Sequence, residues 1–188
     1  MANSQHASFS LDSLMRQVAD QERPPVEKWN PEFCGDIDMC IKADGSWFYM
    51  GTPIGRKRMV KLFSSVLRRD KDGKTYLVTP VEKIGITVED AHFVATTLNV
   101  ANDNGRQLLV FETNVGDKVI AGRENPIWVD VDEKTGEPRP YLRVRGNLDA
   151  LISRSVFYQM VELAMPKNNQ LVVKSDDQEF LLGDVGED

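Results

Sequence analysis

Three things are scarce in this chain, and each scarcity removes a class of function. Only two cysteines, Cys34 and Cys40, occur in 188 residues. That excludes a disulfide framework, and a Cys-x5-Cys pair with no histidine nearby is not a zinc pattern. Both thiols are expected to be free. Only two histidines occur, His6 and His92, so a histidine-based triad or a His-rich metal site has little to draw on. His92 reads as a strand-edge residue rather than a base. Excess positive charge is also missing: 23 basic residues face 29 acidic ones, for a net charge of −6. A surface that tracks a nucleic-acid backbone needs the opposite balance, so no DNA or RNA partner is expected. No apolar run approaches the length that spans a bilayer, and no membrane association is expected. The first ten residues are polar and no apolar stretch follows them, which points to a cytoplasmic protein.

What is present suits a globular fold. Hydrophobic residues make up 41% and charged residues 28%, an ordinary balance. The length allows one domain or two small ones. The acidic surplus lies wholly beyond residue 90, since positions 1–90 hold equal numbers of basic and acidic side chains.

Apolar periodicity and turn signals divide the chain. Leu11, Leu14, Met15 and Val18 fall at helical spacing, and Pro24-Pro25 ends that segment. Asp36–Ile41 alternates, Asp44-Gly45 turns, and Trp47–Tyr49 returns, which reads as a hairpin. A helix is expected from Pro53, with Met59, Leu62, Phe63, Val66 and Leu67 as its inward stripe and Arg68, Arg69 and Lys71 as its solvated end. Strands follow at Tyr76–Val78 and Ile84–Val88. Further strands are expected at 93–100, 107–113, 118–121, 127–131 and 141–144. A helix from Leu148 to Ala164 precedes two last strands at Leu171–Val173 and Glu179–Leu182. The expected class is α+β, with an N-terminal unit over 1–81 and a β-rich C-terminal unit over 82–188.

The order hairpin, helix, strands occurs twice. Sliding the two helices by 98 positions sets Arg56 on Arg154, Met59 on Phe157 and Phe63 on Val161, which suggests internal duplication. By helical spacing, Arg56 and Arg154 share the inward side of their helices. An arginine at a helix entry is a forked donor for phosphate or carboxylate. Arg143 and Arg145 lie on the strand before the second helix, and Trp47 and Tyr49 offer flat faces for a ring. The bland alternative is ion pairing with Glu82 or Glu89. Asp36-x-Asp38 and Asp130-x-Asp132 place carboxylate pairs on one strand face, most simply as solvated surface. No phosphate-binding glycine loop and no Gly-x-Ser-x-Gly elbow is found.

The runs Cys34–Met39, Asp44–Tyr49, Gly51–Ile54, Leu77–Lys83, Thr113-Asn114 and Tyr141–Arg145 resemble an uncharacterised bacterial family known as domain of unknown function 1285, over about Leu14 to Leu182. The resemblance implies a duplicated core whose second unit is a pleckstrin-homology-like barrel capped by a helix. It implies a site between the units for a nucleotide-based molecule and a role in signal transduction. Carried onto this chain, the site positions are Trp47, Tyr49, Pro53, Arg56, Lys83, Thr113, Asn114, Arg143, Arg145 and Arg154. The leading expectation is a non-enzymatic binding protein for a nucleotide-like or other phosphorylated small molecule, with no cofactor and no metal. A protein-interaction adaptor is the alternative. A metal-dependent phosphoester hydrolase built on Asp36 and Asp38 is the weakest reading, and the question of catalysis stays open.

Overall fold

Period-2 alternation dominates the chain, and strands dominate the result. The computed structural model describes residues 22–186, so the expected helix around Leu11–Val18 lies outside the described residues. Among the described residues, fifteen strands and two α-helices follow a short 3-10 turn at Val26–Lys28. The fold is therefore mostly sheet, where an α+β balance was expected.

The strands come in meanders of three. The first is β1 (Phe33–Ile41), β2 (Trp47–Tyr49) and β3 (Thr52–Pro53). Helix α1 (Lys57–Ser65) leads to β4 (Leu67–Arg69), β5 (Thr75–Val78) and β6 (Lys83–Val88). These form one sheet in the order β3-β2-β1-β6-β5-β4, closed through a parallel β1–β6 pairing. The next six are β7 (Phe93–Asp103), β8 (Arg106–Thr113), β9 (Lys118–Ile120), β10 (Ile127–Val131), β11 (Pro138–Arg145) and β12 (Leu148–Ile152). They repeat that plan in the order β10-β11-β12-β7-β8-β9, with β7 and β12 parallel. Helix α2 (Arg154–Leu163) then leads to β13 (Met165–Lys167), β14 (Gln170–Ser175) and β15 (Gln178–Asp184), a separate three-stranded sheet.

Meander, helix, meander thus occurs twice, as β1-β2-β3, α1, β4-β5-β6 and as β10-β11-β12, α2, β13-β14-β15. This fits a duplicated unit. The copies differ at one join: β10 and β15 lie against each other but share no ladder, whereas β1 and β6 are paired. The expected division after Val81 cuts through the first sheet, because β6 pairs with both β1 and β5. The break between sheets falls between Val88 and Phe93.

One apolar core crosses that break. Met39, Ile41, Trp47, Leu67 and Leu77 from the first unit cluster with Phe93, Phe111, Leu142, Ile152 and Met160 from the second, and with Val173 and Phe180 from the last sheet. Burial of this continuous surface is the main cohesive force between the units. Among the described residues no helix is long and apolar enough to cross a membrane.

Several local expectations need correction. Pro53 opens no helix. It sits on edge strand β3 opposite Phe48, where a missing N–H costs no ladder bond. The inward side of α1 carries Val60, Phe63 and Ser64, while Met59 and Leu62 are 40% and 64% exposed. Leu67 and Arg68 are in β4, and Arg68 is buried rather than solvated. Its guanidinium donates to the carbonyls of Val26 and Trp29 at 2.8 and 2.7 Å and pairs with Asp70 at 2.6 Å. Leu148–Ile152 is a strand, so α2 begins only at Arg154.

The turn at Asp44-Gly45 also binds the units together. Gly45 has φ +86°, and a Cβ there would stand 2.8 Å from Asn114 Nδ2 and 2.9 Å from Val94 Cγ2. Gly73 has φ +78° but open space around it. Both Gly→Ala changes carry the left-handed backbone cost of about 1–2 kcal/mol; Gly45→Ala adds a clash across the unit boundary. Urea unfolding is expected to show Gly45→Ala destabilised by about 1–3 kcal/mol more than Gly73→Ala.

Candidate functional site

The connector between the sheets is the floor of a cleft. On one wall stand Arg69 at the end of β4, Thr75 and Tyr76 on β5, and the 85–88 stretch of β6; this open half has a volume of about 400 Å3. On the other wall stand Trp128 on β10, Tyr141 on β11 and Asp149 on β12, around a further 220 Å3. Arg69, Asp90 and His92 line both halves.

His92 is held from both sides. The Asp149 backbone N–H donates to Nδ1 at 3.3 Å, and Nε2 lies 3.0 Å from Thr75 Oγ1. With Nδ1 accepting, the proton sits on Nε2 and is donated to the threonine hydroxyl. The ring is 4% exposed. Burial, reinforced by Arg69, Arg145 and Arg143 nearby, pushes its pKa down to about 4. The imidazole is therefore neutral and structural at neutral pH.

Charge in the cleft is partitioned by pairing. Asp90 accepts from Arg139 Nη2 at 2.5 Å and from the Tyr141 hydroxyl at 2.7 Å. Asp149 accepts from Arg143 Nε. The Arg143 guanidinium also lies 5.8 Å from the Trp128 ring centre, and Trp128 stacks on its cross-strand neighbour Tyr141 at 5.7 Å. Arg69 differs. Its Nε donates to the Gly73 carbonyl at 3.3 Å, and no carboxylate pairs with it among the described residues.

The residues expected to form the site separate into three groups. Some are structural ties. Asn114 Nδ2 donates to the Gly45 carbonyl at 3.1 Å, and its Oδ1 accepts from Val94 N–H at 3.0 Å. Thr113 is buried and its hydroxyl accepts from Asp117 N–H at 3.1 Å. Arg145 pairs with Asp117 at 2.5 Å, donates to the Ser64 carbonyl at 2.6 Å and lies over Phe93. Lys83 pairs with Asp70 at 3.1 Å and covers the Tyr76 ring. Trp47 is in the core, stacked on Phe63, and its indole N–H has no partner among the described residues.

The second group is exposed. Tyr49 and Pro53 face solvent. Arg56 caps the start of α1 in extended conformation and is exposed. The Arg154 side chain is 70% exposed and pairs with Glu137 at 3.3 Å. The expectation that Arg56 and Arg154 turn inward is thus corrected: each precedes the first buried turn of its helix and points off it. Arg154 lines a groove with Glu137, Arg139 and Tyr158, and Arg56 is not among that groove's lining residues. The third group is Arg143 alone, which borders the cleft through Asp149 and Trp128. Sequence reading missed Arg69, Asp90, Trp128 and Tyr141. Trp128 and Tyr141 carried a signal, as aromatics on strands already expected to be neighbours.

Two family models meet at this junction. The N-terminal domain of the domain of unknown function DUF1285 matches residues 24–91, and its C-terminal domain matches residues 92–182. The chain belongs to this family. A DUF1285 family protein from Silicibacter pomeroyi DSS-3, solved as a crystal structure, is 46% identical over 95% of this chain and 97% of its own, with a TM-score of 0.83. One from Shewanella baltica OS155 is 27% identical over 66% of this chain and 90% of its own, with a TM-score of 0.52. No curated protein matches the chain.

The buried histidine makes stability pH-dependent in a defined direction. Unfolded, His92 titrates near 6.5; folded, near 4. Above about pH 6.5 it is neutral in both states and its contribution is complete. Between about 6.5 and 4 only the unfolded chain takes the proton, so stability falls as pH falls, by about 3 kcal/mol in all. Denaturant unfolding from pH 7 to 4 is expected to show a shallower decline in His92→Asn than in the native chain, the slopes differing by up to about 1.4 kcal/mol per pH unit.

Proposed function

We propose that this protein is a non-enzymatic, cytoplasmic binding protein that takes a nucleotide-like small molecule, bearing one phosphate, in the cleft between its units and serves in signal transduction. The observation that carries the reading is Arg69. It is a forked cation lining both halves of the cleft, with no carboxylate pairing it among the described residues, opposite a wall of stacked Trp128 and Tyr141. Guanidinium suits phosphate, and an aromatic wall suits a base. Asp90 and Asp149 are already engaged by Arg139 and Arg143. Asp36 and Asp130 at the rim offset Arg69 and Lys74, which favours one phosphate over several. The volume of the open cleft suits a ligand of that size.

The finer fold reading belongs to the same proposal. We read the second unit as pleckstrin-homology-like, because a curled six-stranded sheet, β7 to β12, is followed directly by α2. The hydrolase alternative has less support: among the described residues no three His, Cys, Asp or Glu side chains are grouped so as to hold a metal.

Thermal unfolding with adenosine and guanosine 5′-monophosphates tests the reading. A ligand at a hundred times its Kd stabilises by about 2.7 kcal/mol. The expected result is stabilisation by at least one monophosphate, less by its free nucleoside, and loss of the effect in Arg69→Ala. A monophosphate response that survives Arg69→Ala, or no response at all, overturns it.

A further inference from the structure

We infer that the flank of α1 facing the second unit is a separate anion site, for a molecule carrying two or more linked phosphates. A groove of about 500 Å3 runs between α1 and the turn after β8, away from the residues that line the junction cleft. Lys57, Arg58 and Lys61 stand along one side of it, with Asn114 across from them and Val60 and Val115 among its apolar lining. None of the three cations has a carboxylate partner among the described residues. The one carboxylate in the lining, Glu112, is engaged by Lys118 at 2.7 Å.

Sequence and charge point the same way. No acidic residue occurs between Asp44 and Asp70, a stretch that holds six basic ones, in a chain whose net charge is −6. Arg68 is answered by Asp70, but positive charge along α1 is concentrated locally without a carboxylate partner among the described residues, which is costly unless a ligand or solvent ions offset it. Lys57 and Lys61 are one helical turn apart, about 6 Å between Cβ atoms, and Arg58 lies next to Lys57. Three cations within one helical turn match the charge of two linked phosphates better than that of one. Lysines supply point charges and the arginine a fork. Asn114, its amide held at both ends by Gly45 and Val94, fixes the far wall of the groove. The chemistry is shared by a free diphosphate and by a lipid headgroup with two phosphates.

Titration calorimetry of the full chain with inorganic pyrophosphate, at low and moderate salt, addresses the free form. Sedimentation with cardiolipin-containing vesicles against phosphatidylcholine vesicles addresses the headgroup. Binding is expected in at least one arm, weakened by salt, about fivefold weaker in each of Lys57→Gln, Arg58→Gln and Lys61→Gln, and lost in the triple variant. All of these variants are made in an Arg69→Ala background, which removes phosphate binding at the junction cleft and so separates the two sites, and the surface control Lys134→Gln should leave binding unchanged. Helix-surface Gln substitutions preserve helix propensity, and the unfolding midpoint checks that the variants are folded. Pyrophosphate binding alone assigns a free ligand, and vesicle binding alone assigns a headgroup. No binding in either arm overturns the site, as does binding that the triple variant retains. Inorganic phosphate binding as tightly as pyrophosphate overturns the requirement for linked phosphates.

Discussion

Only four residues, Glu89 to His92, separate the last strand of the first sheet from the first strand of the second, and everything else depends on how they are held. Glu89 bonds Lys42 at 2.9 Å and the Ala43 N–H at 3.0 Å, in the first unit. Asp90 bonds Arg139 and Tyr141 in the second. Ala91 is buried. His92 bonds Thr75 on one side and Asp149 on the other. A connector of four residues spans at most about 14 Å, so it keeps the two sheets close. The two sheets must meet, and the apolar cluster that forms where they meet makes the junction a core rather than a hinge. The cleft exists because two edge strands, β4 and β10, approach each other over that connector without pairing.

Polar ties around the junction explain why so many of the expected ligand residues became structural ones. Arg145 is half-buried, and desolvation works against its charge, with Asp117 opposing that effect. A guanidinium withdrawn from water persists only when its donors are satisfied, and Asp117 and the Ser64 carbonyl satisfy them. Asn114 does the same for the Gly45 turn. Such residues sit at the boundary between the units, as a ligand contact would, but their hydrogen-bonding capacity is already used by protein.

Much of the strand plan was legible. Alternation at Asp36–Ile41 and the turn at Asp44-Gly45, with Gly45 at φ 86°, placed the first hairpin correctly because period and turn chemistry agreed. The failures came where two periods fit the same residues. Leu148, Leu151 and Ile152 satisfy helical spacing, yet Leu148, Ala150 and Ile152 are the buried set, the period of a strand. The deciding signal was Gly146, at φ 51°, which closes a tight turn onto β11 rather than preceding a helix. Arg68-Arg69 misled for a different reason. Two adjacent arginines read as a solvated end, but a strand sends neighbours to opposite faces: Arg68 goes inward to the Val26 and Trp29 carbonyls and Arg69 outward to the cleft.

That alternation is also why the candidate site was missed. No local pattern links Arg69 to Trp128; they meet only because each lies on the outer strand of its own sheet. The duplicated helix entries at Arg56 and Arg154 were visible from sequence because they repeat at one spacing, and repetition reports ancestry and packing rather than ligand chemistry. Chemistry is reported by what pairing leaves over. Cations without a carboxylate partner among the described residues are densest along α1 and around the end of β4, because no acidic residue occurs between Asp44 and Asp70. The acidic surplus elsewhere sharpens those two places, since it leaves an approaching anion few other surfaces of matching sign.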